Sequence, residues 1–341
     1  MTARAFDPRD RQGPKAPVTG TPLRPRGSLR RTTTLDSSFP DGPDAPIRLD
    51  LRARDLRTGA DGTSTVSGEV RVEMRVANPG GVLEVHADPP EPRLARLVGS
   101  SPVAGWRRKV ADLLDDHAAG GSLLYLVLDA LPAWMGLASF GLVDLPRTDG
   151  LPAFARARPG RQVDPGSRVD LCAGWQAGGT LLELMAAGRS GTEFARPVAP
   201  PLEDPDDPLA WHAVEPLPPY GARRRRRIDL VAGDPLAVDA MFRDTAADAA
   251  GHERVLHEYT VRATLDPASL EIVDADALPR VLPYRECPEA ATSAARLAGT
   301  DVRAMRRFVS RELRGVSTCT HLNELYRTFA DLGALAAQLR P

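Results

Sequence analysis

The sequence is poor in cysteine and lysine and has no long apolar run. Three cysteines in 341 residues are too few for a disulfide framework and indicate a reducing compartment. No stretch of about 18 apolar residues could span a bilayer. The first residues also lack the apolar core of a secretory signal. We therefore expect a cytoplasmic protein with no membrane association.

Charge of one sign is not in excess either. Lys+Arg 44 against Asp+Glu 45 gives a net charge of −1, which removes any broad attraction to nucleic acid. Lysine occurs only at Lys15 and Lys109, so a run such as Arg223–Arg227 is a weak signal in an arginine-rich chain. No aromatic residues interleave with that run. We interpret it as a solvated segment that leads into a strand, with anion or nucleic-acid binding as the alternative.

Several common catalytic motifs are absent. The chain has no P-loop, no G-x-G-x-x-G after a strand, no nucleophile-elbow serine and no H-E-x-x-H. Nucleotide-driven reactions, dehydrogenases and the common hydrolases are therefore disfavoured.

The patterning divides the chain into four regions. A polar, aperiodic tail is expected to be disordered. Alternating apolar residues, turns such as Asn78–Gly81 and helical periods of apolar residues predict two α+β units. Between them we predict a hairpin (168–175 and 180–185) and an extended, Pro-rich strap over 196–219. The expected boundaries are 1–26 for the tail, 27–133 for the first unit, 134–222 for the connection and 223–341 for the second unit.

The two units share the order of their elements and some short segments. Leu83-Glu84-Val85 in the first unit corresponds to Leu270-Glu271-Ile272 in the second, and Arg54-Asp55 corresponds to Arg243-Asp244. We interpret this as a degenerate internal duplication; chance similarity between two units of biased composition is the alternative.

Soft metal ligands are concentrated in the second unit. It contains His257, Cys287, Cys319 and His321, which the first unit lacks. Cys287 stands before a proline and Cys319 before a threonine, so both thiols are predicted at helix N-termini, where the thiol pKa falls. The four residues form a Cys₂His₂ set suited to one zinc or iron ion. A redox thiol without metal and a packed structural cluster remain open.

Further residues could support such a site. Trp211 and His212 follow two aspartates in the strap and could form its lip, although an exposed polar His212 is the alternative. We take Cys287, His321 and His212 as candidate catalytic residues. Asp244, Glu258 and Trp211 are expected around the ligands. Cys172 lies in an apolar stretch and is interpreted as a core residue.

Seven segments of the chain resemble a bacterial family of unknown function, DUF2889, over roughly residues 27–330. They are Arg30-Arg31-Thr32-Thr33, Leu171-Cys172-Ala173-Gly174-Trp175, Ala210-Trp211-His212, Phe242-Arg243-Asp244, His257-Glu258-Tyr259, Leu282-Pro283-Tyr284-Arg285-Glu286-Cys287-Pro288 and Cys319-Thr320-His321-Leu322. This resemblance implies no reaction.

The order of elements in residues 255–335 also resembles the iron–sulfur scaffold proteins of the NifU and SufE type. His257 stands where that family has its first cysteine, Cys287 matches its second, and Cys319 and His321 fall at its last ligands. The resemblance implies an α+β fold of two NifU/SufE-like units. With histidine in place of one cysteine, a single metal ion is expected instead of a cluster.

These observations lead to three hypotheses. The first is a zinc- or iron-dependent enzyme that acts on a small carbonyl-type substrate. The second is a sulfur or iron–sulfur carrier that uses Cys287 and Cys319. The third is an interaction scaffold with no site. A small molecule is the expected partner, and the sequence does not determine the oligomeric state.

Overall fold

The computed structural model describes residues 11–77, 80–145 and 165–339. Across them, eight strands form one antiparallel sheet in the order β4-β3-β2-β1-β5-β6-β7-β8. The strands are β1 (Ser28–Ser38), β2 (Ile47–Thr58), β3 (Ser64–Val76), β4 (Val82–Asp88), β5 (Ala222–Val231), β6 (Leu236–Ala247), β7 (Glu253–Leu265) and β8 (Ile272–Val281). The turn predicted at Asn78 and Pro79 lies outside the described residues, as do 1–10 of the tail and 146–164 of the connection.

The predicted fold of two NifU/SufE-like α+β units joined by a strap is wrong. β1 pairs with β5 from Ser28↔Val231 to Ser37↔Ala222, so early and late strands meet at the centre of a single sheet. Strand alternation in the sequence identifies which segments extend, but it does not identify their partners. The error therefore lies in the long-range pairing.

Helices cover one face of this sheet. They are α1 (Trp106–Leu113), α2 (Asp115–Ala119), α3 (Leu123–Asp129), α4 (Leu131–Trp134), α5 (Thr180–Ala186), α6 (Met305–Glu312), α7 (Thr320–Thr328) and α8 (Leu332–Leu339). Short 3-10 helices run over Pro92–Leu97, Phe140–Asp144, Pro165–Arg168, Ala173–Trp175, Cys287–Leu297, Val302–Ala304 and Phe329–Asp331. None of the helices in the described part of the chain is long and apolar enough to cross a membrane.

Under the helices lie two apolar clusters. One packs α1–α4 against β2 and β3, and the other packs α5–α8 against β5–β8. Between them, on the helix-covered face of the central strands, runs a strip of mostly buried charges. Its ion pairs join Arg31 to Asp55 and Asp331, Arg224 to Asp244, Arg327 to Asp129, Arg306 to Asp331 and Arg107 to Glu324. The centre of the molecule is therefore polar.

The other face of the sheet is covered by irregular chain. Leu202 and Trp211 of the strap pack on Met241 of β6. Residues 11–26, expected as part of a disordered tail, also lie along the sheet: Gln12 and Lys15 form bridges at the end of β8 and beyond it. Gln12 and Lys15 thus border the edge of the sheet at β8, while the strap and Val18 lie on the face away from the helices.

Two local predictions are wrong. Arg223–Arg227 is not solvated, because it forms the middle of β5 and each arginine is at most 8% exposed. Carboxylates on neighbouring elements make this burial tolerable for most of the run, for example Asp36 for Arg223. The hairpin over 168–185 is instead a 3-10 helix followed by α5, since Leu181 and Leu184 are buried at helical spacing.

Candidate metal centre

Three side chains from three elements meet where α7 begins above the sheet. β6 carries Asp244 and β7 carries His257, and the antiparallel register places these two residues directly opposite each other. Cys319 is extended (φ −129, ψ 128) and starts α7, so His321 lies in the first turn of that helix. The apolar face of α7 packs into the same core cluster as Phe242 of β6, which brings His321 over the pair.

The donor atoms of this group are close together. One ligand atom each from Asp244, His257 and His321 lies within 4.8 Å of the other two. The two imidazole rings stack, with centroids 3.8 Å apart and planes at 19°. His257 Nδ1 is buried, 4.0 Å from Asp244 Oδ2, and has no hydrogen-bond partner. We call Asp244, His257 and His321 the ligand trio.

Both histidines of the trio are held neutral. Burial lowers the pKa of His257 well below its ordinary value, and His321 adds to this effect while Asp244 opposes it. Burial, with a contribution from the charge of Arg224, lowers the pKa of His321 to about 3. Neutral imidazole is the form that binds metal ions. The trio therefore needs no deprotonation of histidine to take a metal at neutral pH.

Arg224 fixes the carboxylate of the trio. Its Nε donates to Asp244 Oδ1 at 2.8 Å and its Nη2 donates to Oδ2 at 3.0 Å, with both side chains almost fully buried. The guanidinium also lies over the Phe242 ring at 4.7 Å. A carboxylate held by a bidentate arginine keeps one orientation, and its remaining lone pairs stay available to a cation.

Cys319 lies beside the trio. Its Sγ is 3.7 Å from His321 Nδ1. Sulfur and nitrogen ligands of one tetrahedral zinc ion are about 3.6 Å apart, given Zn–S near 2.3 Å and Zn–N near 2.0 Å. The thiol is thus spaced for joint ligation with His321.

Cys287 is not part of the trio. Its Sγ lies against Gly174, where an added Cβ would be 3.0 Å away. Burial raises the pKa of the Cys287 thiol, and it also raises the pKa of Cys319 to about 11. The predicted low thiol pKa values are therefore wrong, because loss of hydration outweighs the helix N-termini.

Comparison with known proteins gives one family match. Residues 222–334 match the family described as a protein of unknown function (DUF2889). We call these residues the DUF2889 segment. No curated protein and no solved structure matches the chain. The match supports the expected resemblance for the C-terminal part only, and nothing found supports the resemblance to NifU or SufE. The trio and Cys319 all lie within the DUF2889 segment.

Three other predicted site residues lie on the opposite face of the sheet. Glu258, within the DUF2889 segment, pairs with Arg243 and accepts a hydrogen bond from the Val18 N–H at 2.6 Å. Both ring nitrogens of His212 are 2.8 Å from threonine hydroxyls of β1. Trp211 packs in the small cluster under the strap. The sheet therefore separates all three from the trio.

Lys15 is a further neighbour of this region, which the sequence patterns above did not indicate. Its Nζ donates to the Leu282 carbonyl, and burial lowers its pKa to about 8 while Cys287 opposes that shift. The charge of Lys15 also contributes to the lowered pKa of His257. Only the rarity of lysine could have drawn attention to Lys15, because it is one of two lysines in a chain whose other basic residues, apart from histidine, are arginines.

Proposed function

We propose that this protein binds one zinc or iron ion through Asp244, His257 and His321 and uses it as an enzyme on a small carbonyl-type substrate. The observation that carries the proposal is the convergence of three donor atoms within 4.8 Å of one another. Two of these donors are imidazoles held neutral by burial. Two histidines and one carboxylate are a common ligand set for non-haem iron and for catalytic zinc.

The unpartnered nitrogen of His257 supports a metal over simple packing. A buried polar atom without a partner costs free energy, so native structures rarely keep one. Nδ1 of His257 is such an atom and points toward the carboxylate of Asp244 without bonding to it. A cation between the two groups would satisfy both.

The number of ligands favours catalysis over a structural role. Structural zinc sites are closed by four protein ligands, whereas catalytic sites keep three and leave one position open. Asp244 and His257 are buried and His321 is half-buried. A metal ion there would supply Lewis-acid polarisation of a carbonyl oxygen or a lowered pKa of water. Ligation by Cys319 as a fourth protein ligand would instead close the site and indicate a structural zinc ion.

No observation favours the sulfur-carrier alternative. A carrier needs a thiolate nucleophile, and burial raises the pKa of both Cys287 and Cys319. An interaction scaffold without a site would leave the convergence of the trio unexplained.

Elemental analysis of the full chain, purified without added metal, tests the proposal. We expect about one equivalent of zinc or iron per chain, lost in His257→Ala and His321→Ala. His212→Ala is the matched control, because His212 is also a buried histidine but lies on the other face of the sheet. Metal content well below one equivalent in the wild type, or equal loss in all three variants, would contradict the proposal.

Intact mass measurement separates the enzyme from the carrier. We expect no persulfide on the wild-type chain and unchanged metal content in Cys287→Ser, since Cys287 is outside the trio. A mass increase of one sulfur atom that disappears in Cys287→Ser, with no bound metal, would favour the carrier instead.

A further inference from the structure

Arg226 is a buried arginine without an ion pair. It lies in the middle of β5, the central strand next to β1, and is 3% exposed. Its Nε and Nη2 atoms have no hydrogen-bond partner. Within residues 11–77, 80–145 and 165–339, no carboxylate comes within ion-pair distance of it, unlike Arg223, Arg224, Arg225 and Arg227 of the same run.

The carboxylates near Arg226 are already engaged. Asp129, Asp331 and Glu324 act on Arg226 through space. Each of them is hydrogen-bonded to arginines other than Arg226. Asp129 bonds to Arg327, Asp331 to Arg31 and Arg306, and Glu324 to Arg107. Arg226 is therefore the cation left over in the buried strip of charges.

A buried arginine without an ion pair lowers the free energy of unfolding of the protein. Burial lowers the pKa of Arg226 to about 10, which still leaves the guanidinium charged at neutral pH. A buried charge without a partner is among the most destabilising features a core can hold. Its presence in a strip where every neighbour is paired indicates a missing anion.

Arg226 lies beside Arg224, the arginine that pairs with Asp244 of the ligand trio. Arg224 and Arg226 are two residues apart on one face of β5, opposite Asp244 and Phe242 of β6 respectively. Nη1 of Arg224 also has no hydrogen-bond partner. Phe242 lies under the Arg224 guanidinium at 4.7 Å, and its ring centroid is 6.2 Å from that of His321. Unused donors of both guanidiniums thus lie on one face of β5, and Arg224 carries them next to the trio.

We infer that Arg226, together with the unused Nη1 of Arg224, binds a small carboxylate anion next to the ligand trio. The planar fork of arginine matches the two oxygens of a carboxylate. Anion binding itself does not require the metal, while the assignment of this carboxylate to the substrate rests on the proposed function. The enzyme would then act on a carbonyl compound that also carries a carboxylate.

Thermal unfolding of the chelator-treated full chain tests the inference without the metal. The probes are acetate, oxalate and malonate against chloride at constant ionic strength, with acetamide as the uncharged control. We expect a saturable rise of Tm with at least one carboxylate and none with acetamide. Arg226→Met should raise Tm in chloride, because it removes the unpaired charge, and should lose the response to the carboxylates.

The matched control is Arg225→Met. Arg225 lies on the same strand, but it faces the other side of the sheet and pairs with Glu203. This variant should keep the wild-type response. A wild type that responds to chloride and carboxylates alike, or an Arg226→Met variant that still responds, would overturn the inference.

If Arg226→Met does not fold, Arg226→Lys decides the question. Lysine keeps the charge but lacks the fork, so its response to carboxylates should be at least several-fold weaker. A response equal to that of the wild type would overturn the inference. A failed metal test with an intact carboxylate response would refute the proposed function and leave the anion site standing.

Discussion

The pH dependence of metal binding should report whether Cys319 is a ligand. Its Sγ lies 3.7 Å from His321 Nδ1, and burial raises its pKa to about 11. A thiol must lose its proton to bind zinc or iron. We therefore consider metal binding measured between pH 6 and pH 8, where the Cys319 thiol stays protonated in the free protein.

The expected magnitude follows from that pKa. Each pH unit below the pKa costs about 1.4 kcal/mol to remove the proton, so a thiol with a pKa near 11 costs about 6 kcal/mol at pH 7. If Cys319 binds as a thiolate, the apparent affinity rises about tenfold per pH unit, or about 100-fold from pH 6 to pH 8. The apparent affinity rises with pH, and does not fall, because metal binding releases a proton from the thiol.

The histidines should contribute nothing in this range. Burial lowers the pKa of His321 to about 3 and that of His257 well below its ordinary value. Both rings are then already neutral at pH 6, and no proton leaves them when a metal binds. A site made of the trio alone would therefore show a flat pH profile over the same two units.

Competition against a chromophoric chelator gives the affinity at each pH, and calorimetry in two buffers of different ionisation enthalpy counts the released protons. Cys319→Ala should lower the affinity and abolish the slope. Cys287→Ala, another buried thiol outside the trio, should change neither. A flat wild-type profile would refute ligation by Cys319. A slope that persists in Cys319→Ala would show that the proton comes from another group.

Two predictions concern stability. His212→Ala should lower the free energy of unfolding by about 1–3 kcal/mol in urea titration, because two buried threonine hydroxyls lose their partner, and metal binding should not change. Asp331→Asn should cost about 3–5 kcal/mol, since Asp331 is fully buried and pairs with both Arg31 and Arg306. A loss below about 1 kcal/mol for Asp331→Asn would show that the buried strip of charges does not support the fold.

The sequence predicted elements better than it predicted their arrangement. The alternating apolar residues Tyr259, Val261, Ala263 and Leu265 fall within β7, and the helical apolar period from Leu322 begins within α7. The central strand β5 was concealed, because five consecutive arginines show no apolar alternation. Its burial depends in part on a carboxylate far away in the chain, Asp36 of β1, which pairs with Arg223. Such pairing cannot be read from local pattern.

For the candidate site, too, the sequence predicted local proximity better than long-range arrangement. The short spacing of Cys319 and His321 predicted their proximity, because two residues around a helix start cannot lie far apart. Asp244 was expected only near the ligands, and the register of β6 against β7 makes it a member of the trio. Cys287 is separated from Cys319 by several elements, so its distance to the trio depended on the packing of the whole layer.

The metal and the anion would influence each other electrostatically. Burial is the main cause of the low pKa of His257 and His321, and the charge of Arg224 adds to it, so Arg224 also repels a cation at the trio. Asp244 offsets this repulsion, but Arg224 already shares its charge. A carboxylate on Arg226 would add a negative charge beside the trio and strengthen metal binding. By thermodynamic linkage, the metal would strengthen carboxylate binding by the same factor. A substrate with a carboxylate and a carbonyl group would therefore bind best when the metal is in place.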